Sequence, residues 1–431
     1  MRRSVVLSQW LLSAATISLV LASHAFAQQQ QIAPPNYDES KVPAYELPDP
    51  LVAQDGQVID TVELWTQKRR PEILELFKHE MFGVAPEADL SKIAFEETKT
   101  VDNALGGKAI QKEVRVYFDA PNPTPCIDLL IFIPKGLDHP APAFLMPNFQ
   151  GNQTTTDETS VTAYEANDKA RNKDKDLESL RGVAKSRWAF EKIIDRGYAI
   201  ATCHYEQIDP DYDDGFKNGV HPLFKNFDIN ASDYTSTIGA WAWGLSRALD
   251  CLETIPEIDA KHVIIAGHSR LGKTALWCGA SDERFAGVIS NDSGCGGAAL
   301  SRREFGERVD RINASFPHWF TKKFHEYGDK VNELPIDEHE LIALIAPRPV
   351  YVASAQEDQW ADPKGEFLSA LNAEPVYALF GLPGLGVTEQ PEVNTPVGKT
   401  IRYHVRTGGH DVTDYDWEQY LNFADEEVVG K

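Results

Sequence analysis

The segment 262–274 constrains the fold of this chain more than any other stretch. It reads His-Val-Ile-Ile-Ala-Gly-His-Ser-Arg-Leu-Gly-Lys-Thr, so an apolar run ends at Gly267, one serine follows at position 269, and a helical pattern begins directly after it. A buried strand, a sharp turn with a serine at its apex and a helix together present the serine hydroxyl above the edge of a parallel sheet. The segment therefore predicts a nucleophile elbow with Ser269 as the candidate nucleophile.

The glycine spacing of this segment departs from the common serine hydrolase pattern. Leu271 stands two residues after the serine, where a glycine is usual, and Gly272 comes one residue later. The alternative interpretation is an ordinary strand-to-helix turn in which Ser269 caps the helix, because serine is a favoured N-cap residue. A nucleophilic serine requires a histidine and a carboxylate elsewhere in the chain, whereas a capping serine requires neither.

Strand and helix patterns alternate along most of the chain. The predicted strands are 109–119, 129–134, 143–146, 198–203, 262–267, 286–290, 349–354 and 401–406, and the predicted helices are 63–81, 183–195, 234–254, 363–372 and 414–424. Such alternation predicts an α/β protein with a mostly parallel central sheet and helices on both faces, a three-layer sandwich. Together with the elbow, it predicts an α/β-hydrolase fold.

The first 57 residues are not predicted to belong to this fold. Two arginines precede an apolar stretch, and Ala25-Phe26-Ala27 is a small-x-small cleavage site, so residues 1–27 have the features of a secretory signal peptide cleaved near Ala27. Residues 28–57 are rich in Gln and Pro and predict an extended arm. We expect residues 58–431 to form a single catalytic domain, in a protein that is secreted or periplasmic.

The net charge of the chain and the spacing of its cysteines disfavour several kinds of partner and of metal site. A net charge of −23 and a pI near 4.9 disfavour nucleic acid and anionic lipid surfaces, which attract basic proteins. We find no later segment of about 20 apolar residues that would span a membrane. The five cysteines form no Cys-x-x-Cys pair, which disfavours structural zinc. We expect a monomer that uses no metal and no cofactor.

A serine nucleophile requires a histidine to accept its proton and a carboxylate to orient that histidine. His410 follows Gly408-Gly409 directly after the last predicted strand, and it is the predicted base. Two carboxylates follow predicted strands beyond the elbow, Asp292 after the first and Asp358 after the second. In α/β-hydrolases the acid of the triad usually follows the later of these strands, which favours Asp358. The sequence leaves both acids open.

Two cations stand at the start of the helix that follows the serine. A helix N-terminus favours anions, so Arg270 is out of place there unless it serves another purpose. A guanidinium beside the nucleophile can donate to the developing oxyanion, and Lys273 one turn later can contact a polar or acidic group of the substrate. The alternative is that both side chains extend to solvent or pair with loop carboxylates.

These motifs resemble carbohydrate esterase family 15, the glucuronoyl esterases, over about residues 140–412. The matching segments are Gly267–Lys273, Asn291–Gly297, Ser301–Arg303, Glu357–Pro363 and Gly408–His410. The resemblance implies an esterase that cleaves the bond between 4-O-methyl-glucuronoyl groups of glucuronoxylan and lignin alcohols. It also implies an acyl-enzyme route that needs no metal.

The same resemblance implies roles for individual residues. Ser269 and His410 match the nucleophile and base of the family, and Arg270 matches an arginine that holds the oxyanion. The implied sugar-binding residues are Lys273, Glu307 and Trp360, with Glu304 a competing position for Glu307. Many members carry a glutamate where this chain has Asp292, so that position departs from the family pattern.

Other functions remain compatible with these residues. An acetyl xylan esterase or another carbohydrate carboxylesterase would use the same triad with a different acyl pocket. A non-catalytic glycan-binding homologue is a further alternative, which the intact serine, histidine and acids disfavour.

Overall fold

A ten-stranded mixed sheet runs through the part of the chain that a computed structural model describes, residues 34–86, 89–163, 176–225 and 227–430. The signal peptide expected at 1–27 lies outside these residues. The strands are β1 (Ala94–Ala104), β2 (Ala109–Tyr117), β3 (Cys126–Pro134), β4 (Ala141–Leu145), β5 (Ala199–Thr202), β6 (Ile258–His268), β7 (Gly287–Asn291), β8 (Val350–Ala355), β9 (Val397–Gly398) and β10 (Ile401–Arg406). Their order across the sheet is β1-β2-β3-β5-β4-β6-β7-β8-β10-β9.

The centre of the sheet is parallel and its edges are antiparallel. Strands β5, β4, β6, β7, β8 and β10 pair in parallel, whereas β1, β2 and β3 pair antiparallel, as do β3 with β5 and β9 with β10. Every residue of β7 and β8 is buried. Parallel strands covered on both faces have nearly continuous apolar sequences, which is why these strands were recognisable.

Helices cover both faces of this sheet. They are α1 (Arg70–Phe77), α2 (Phe190–Asp195), α3 (Thr237–Leu252), α4 (Arg270–Ser281), α5 (Val309–Ser315), α6 (Lys322–His325), α7 (Glu338–Ala343), α8 (Pro363–Leu379) and α9 (Asp414–Phe423). Alternate residues of β6 pack into two separate hydrophobic clusters. Val263 and Ile265 belong to the cluster that contains α3 and α4. Ile264 and Ala266 belong to the cluster that contains α2 and α9. The predicted mostly parallel α/β sandwich is confirmed.

One helix was predicted with the wrong start, and one edge strand was not predicted. The helix predicted over 183–195 begins only at Phe190, and the 3-10 turn Lys185–Arg187 occupies part of the segment before it. Strand β1 was not predicted. It is an edge strand with many exposed residues, so its sequence lacks the alternation of apolar and polar residues that marks a half-buried strand.

The described part of the N-terminal arm has little regular structure. It contains the 3-10 turn Glu39–Lys41, and it contacts the body of the protein through hydrogen bonds, through ion pairs of Glu39 and through the buried Ala53. The Arg303 guanidinium donates to Glu39 at 2.7 Å, and the His339 ring lies 2.9 Å from the Pro48 carbonyl oxygen.

All five cysteines lie in the described ranges as free thiols, four of them buried and Cys126 half-buried. Within those ranges, no helix has the length and apolar character needed to cross a membrane.

Candidate active site

The elbow between β6 and α4 holds Ser269 in a strained conformation. Its φ of 58° and ψ of −130° lie where a residue with a β-carbon is rarely found. The serine N–H donates to the Asn291 carbonyl at 2.9 Å, and the Gly272 N–H donates to the serine carbonyl at 2.8 Å. The serine side chain accepts no hydrogen bond from the helix, so the capping alternative is wrong.

Close packing explains the unusual glycine spacing of the elbow. A β-carbon on Gly267 would lie 1.9 Å from the Leu271 carbonyl oxygen, and one on Gly272 would lie 2.9 Å from the Ser293 β-carbon. The second glycine is therefore required where the helix passes the loop after β7. Because this contact falls at position 272, the glycine stands there and not at position 271, where the common pattern has it.

His410 lies in the loop after β10 and pairs with Asp358, which follows β8. Its Nδ1 is 2.6 Å from Asp358 Oδ2, and the two side chains are 42% and 6% exposed. The ring centroid of His410 is 4.4 Å from that of His268, the residue before the serine. An Nδ1–H donated to the carboxylate leaves Nε2 unprotonated in the neutral ring, which is the form a general base requires.

Asp292 lies close to this pair without a hydrogen bond to the imidazole. One ligand atom from each of Asp292, Asp358 and His410 falls within 4.8 Å of the others. Asp292 Oδ2 accepts long hydrogen bonds from Arg406 Nη2 at 3.5 Å and from the Asp411 N–H at 3.4 Å. Burial, with Glu366 and Asp358 nearby, raises its pKa well above the ordinary value. The fold thus brings both candidate acids to the histidine, and Asp358 makes the direct contact.

These three side chains also form the group of metal-ligating atoms that converges in the described part of the chain. A cation bound through His410 Nδ1 would have to replace the 2.6 Å hydrogen bond to Asp358. That the site works without a metal stays a prediction.

Arg406 organises the loop that carries the histidine, and no local pattern in the sequence marks it. Its buried guanidinium donates to Asp416 at 2.7 Å. It also donates to the carbonyl oxygens of Thr407 at 3.1 Å and Asp411 at 2.5 Å, which bracket the loop. The further contact with Asp292 makes Arg406 the link between the histidine loop and the second acid.

The Arg270 side chain is 30% exposed, and its guanidinium lies among aromatic rings. Its guanidinium carbon lies 5.0 Å from the ring centroid of Trp319, 5.7 Å from that of Phe149 and 5.8 Å from that of Phe316. One Nη of Arg270 forms an ion pair with Asp211. Arg270 therefore also has a loop carboxylate as partner, as the alternative interpretation predicted. The Nε–H is buried without a partner among the described residues. A buried donor of this kind is a group that a bound anion can satisfy.

Asp211 fixes the position of that guanidinium. It also accepts hydrogen bonds from the Tyr205 hydroxyl at 2.6 Å and the Trp319 indole at 2.7 Å, and His318 Nε2 lies 3.0 Å away. Burial raises the pKa of Asp211, but the hydrogen bond from His318 and the charge of Arg270 outweigh it, so the pKa lies well below its usual range. The carboxylate is therefore a permanent negative partner for Arg270.

Replacing Arg270 by alanine is expected to lower kcat by about 10²- to 10³-fold, with a smaller change in KM, as when an oxyanion donor is deleted. Steady-state kinetics on a glucuronate ester measure this. Arg196→Ala, which removes an arginine paired with Asp425 at the far end of the fold, is the matched control. An unchanged kcat for Arg270→Ala would mean that the guanidinium has only a structural role.

The predicted sugar-binding residues form one group beside the elbow. The buried Lys273 ammonium donates to the carbonyl oxygens of Ser293 at 2.5 Å and Cys295 at 2.6 Å, and it lies 3.8 Å from Glu307 Oε2. Glu307, rather than Glu304, is thus the carboxylate beside this lysine, and burial raises its pKa.

Trp360 completes this group. Its carbonyl oxygen accepts the Glu307 N–H at 2.9 Å, and its side chain is 37% exposed. The exposed indole offers a flat apolar face, and the Lys273 and Glu307 pair offers a donor and an acceptor beside it. An aromatic face beside polar groups is an arrangement suited to binding a sugar ring.

Glu366, a buried residue of α8, connects the loop that carries Asp292 to strand β8, which precedes Asp358. Its Oε1 accepts the Gly294 N–H at 2.9 Å, and its Oε2 accepts the Ser354 hydroxyl at 2.5 Å. Burial raises its pKa to about 8. The side chain is therefore neutral in the folded protein below that pH and charged in the unfolded chain above about pH 4.5.

This difference makes the contribution of Glu366 to stability depend on pH. A raised pKa stabilises the folded state at low pH, and that stabilisation is lost as pH rises towards 8. The free energy of unfolding of wild type should therefore fall relative to Glu366→Gln by about 1.4 kcal/mol per pH unit between about pH 5 and 8. Urea unfolding of both proteins across this range checks it, with the exposed Glu63→Gln as control. A constant difference would contradict the assignment.

The sheet order, the strained elbow and the Asp358–His410 pair define an α/β-hydrolase. A family model described as "Glucuronyl esterase, fungi" matches residues 186–381. The chain is 48% identical over 402 residues to "Carbohydrate esterase MZ0003" from an unknown prokaryotic organism, which covers 92% of each chain. It is 35% identical over 167 residues to 4-O-methyl-glucuronoyl methylesterase 1 of Wolfiporia cocos, which covers 36% of this chain and 41% of that one.

The solved structure of a glucuronoyl esterase from Solibacter usitatus superimposes with a TM-score of 0.86 at 46% identity. The match covers 90% of this chain and 99% of that one. The chain belongs to the glucuronoyl esterases of carbohydrate esterase family 15 and is a carboxylic ester hydrolase.

Proposed function

We propose that this enzyme hydrolyses the ester bond between 4-O-methyl-glucuronoyl groups of glucuronoxylan and lignin alcohols, through an acyl-enzyme on Ser269. The observation that carries the proposal is the strained serine beside the hydrogen-bonded Asp358–His410 pair. A relative named 4-O-methyl-glucuronoyl methylesterase supports the acyl group. The signal peptide expected at 1–27 supports a secreted or periplasmic location, where plant polymers are accessible.

In the first half of the reaction, His410 takes the proton of the Ser269 hydroxyl as the oxygen attacks the ester carbonyl. Negative charge develops on the carbonyl oxygen, and the backbone N–H and the guanidinium of Arg270 stabilise it. Asp358 holds the imidazole in orientation and stabilises the imidazolium that forms. The enclosure of Arg270 by aromatic rings and Asp211 means that this donor needs no rearrangement during the reaction.

The imidazolium then gives its proton to the departing alcohol, and the bond between the carbonyl carbon and the alcohol oxygen breaks to leave the acyl-enzyme. In the second half, His410 takes a proton from a water molecule that attacks the acyl-enzyme, and it returns this proton to the Ser269 oxygen as the acid is released. The uronoyl sugar lies on the face of Trp360, with its hydroxyl groups towards Glu307 and Lys273. These contacts favour a sugar acyl group over a bare acetyl group.

A comparison of kcat/KM values on different esters tests the proposal. We expect kcat/KM for benzyl or methyl glucuronate to exceed that for acetylated xylan and for a nitrophenyl acetate by at least about tenfold, the difference expected from one well-made contact. Higher activity on acetylated xylan would indicate an acetyl xylan esterase instead. Binding of xylan fragments without turnover of any ester would indicate a non-catalytic homologue.

A further inference from the structure

The N-terminal arm contacts two segments that carry sugar-binding candidates. Residues 303–307 form one segment, which ends at Glu307, and residues 360–364 form the other, which begins at Trp360. The Glu307 N–H donates to the Trp360 carbonyl at 2.9 Å, so the two segments are joined at these two residues. A shift of either segment would therefore change where the indole face lies relative to the Glu307 carboxylate.

The segment 303–307 has no regular secondary structure after the 3-10 turn at its start. Glu304 has a φ of 47° and Gly306 has a φ of 61°, so two of its residues adopt the left-handed region. A residue with a β-carbon, such as Glu304, stays in this region only when surrounding contacts hold it there. The position of Glu307 therefore depends on what packs against this segment.

One carboxylate of the arm bridges the two segments. Glu39 accepts a hydrogen bond from Arg303 Nη2 through Oε1 at 2.7 Å and one from Lys364 Nζ through Oε2 at 3.1 Å. Arg303 is buried, whereas Glu39 and Lys364 are each nearly half exposed. Each oxygen of Glu39 thus holds a cation from a different segment.

Two further contacts of the arm fall on the segment 303–307. The Gly306 N–H donates to the Asn36 carbonyl at 2.8 Å, directly before Glu307 in the chain. The Tyr37 ring packs edge-on against Phe305, with ring centroids 6.1 Å apart. On Gly306 a β-carbon would lie 2.5 Å from the Trp360 carbonyl oxygen. The glycine therefore contacts the arm and also packs closely against the segment 360–364.

We propose that Glu39 is a positioning residue, which holds Glu307 and Trp360 in the arrangement that binds the sugar by bridging Arg303 and Lys364. The proposal rests on the proposed function, which assigns the sugar to Glu307 and Trp360. It adds that the arm contributes to the choice of acyl group through residues other than its own. Substitution of Glu39 should then affect only esters whose acyl group is a sugar.

Reversal of the charge at Glu39, measured on two esters, tests this proposal. Glu39→Lys places a third cation beside Arg303 and Lys364, so repulsion replaces the bridge. For methyl glucuronate kcat/KM should fall by about tenfold, because small displacements of the groups that position a substrate lower rates strongly. For a nitrophenyl acetate, which has no sugar, kcat/KM should change less than about twofold. Glu46→Lys, the same charge change at an exposed position of the arm, should leave both esters unchanged.

The two esters separate a positioning role from a structural one. A loss of folded enzyme lowers the rates on both esters by the same factor. Equal losses in Glu39→Lys, or no loss on either ester, would therefore overturn the positioning role alone. Failure of wild type to cleave methyl glucuronate would overturn the proposed function, and this proposal with it.

A second substitution shows whether Glu39 acts through the sugar-binding residues. Trp360→Ala should lower kcat/KM for methyl glucuronate, and a wild-type value would contradict the assignment of the sugar to this indole. In the Trp360→Ala background, Glu39→Lys should cause a smaller further loss than in wild type, because residues that serve one contact act non-additively. An equal loss in both backgrounds would mean that Glu39 does not act through Trp360, which would overturn the proposal.

Discussion

Ser269→Ala is expected to lower kcat/KM for a glucuronate ester by about 10⁴-fold or more, because loss of the nucleophile removes the acyl-enzyme route. The fold should be unaffected, since the turn is held by backbone hydrogen bonds and by Gly267 and Gly272 rather than by the hydroxyl. Initial rates and the urea midpoint of unfolding measure the two effects separately.

Ser281→Ala is the matched control, because Ser281 ends the same helix far from the elbow. It should retain wild-type rates. If Ser269→Ala kept activity within about tenfold of wild type, the serine would not be the nucleophile, since a lost triad member normally costs far more.

The second large effect is expected at Asp358. Asp358→Asn should lower kcat/KM by about 10³- to 10⁴-fold, because an amide at the 2.6 Å contact favours the wrong tautomer of His410. Asp292→Asn should cost less, about 10- to 10²-fold, since its carboxylate reaches the histidine loop through Arg406 and the Asp411 N–H. Kinetics of both single variants and the double variant on one ester measure this.

The double variant shows how the two acids share the histidine. If both support the imidazole, the double variant should be far worse than either single variant, because groups that serve one residue act non-additively. A larger loss in Asp292→Asn than in Asp358→Asn would make Asp292 the principal acid. The exposed Asp414→Asn should match wild type.

Elements with a strong local signal were predictable. The helix expected at 63–81 is a helical run from Val62 to Phe82 that ends at Gly83, where φ is 88°. The central parallel strands also fall where apolar runs predicted them, since burial on both faces leaves few polar residues in such strands. Ser269 and His410 belong to the same category, because each stands in a glycine-containing loop directly after a predicted strand.

Residues that act only through distant partners were not predictable. Arg406 meets Asp292 across 114 positions of the chain, and Arg270 meets Asp211 across 59. Glu366 meets Gly294 across 72 positions. In the sequence Arg406 and Glu366 look like ordinary charged residues of a strand and a helix, and for Arg270 the sequence did not indicate which carboxylate would be its partner. Contacts of this kind depend on which loops share the carboxyl edge of the sheet.

By itself, the sequence determined the elbow, the strands of the parallel centre of the sheet, the family and the two possible acids. Those features are local, because apolar periodicity, turn glycines and motif spacing act over a few residues. Only the tertiary structure decided that Asp358 contacts His410 and that Asp211 holds Arg270. The sheet order explains both contacts, because β8 and β10, which precede the loops of Asp358 and His410, are neighbours. Only β4 lies between β5 and β6, which precede Asp211 and Arg270.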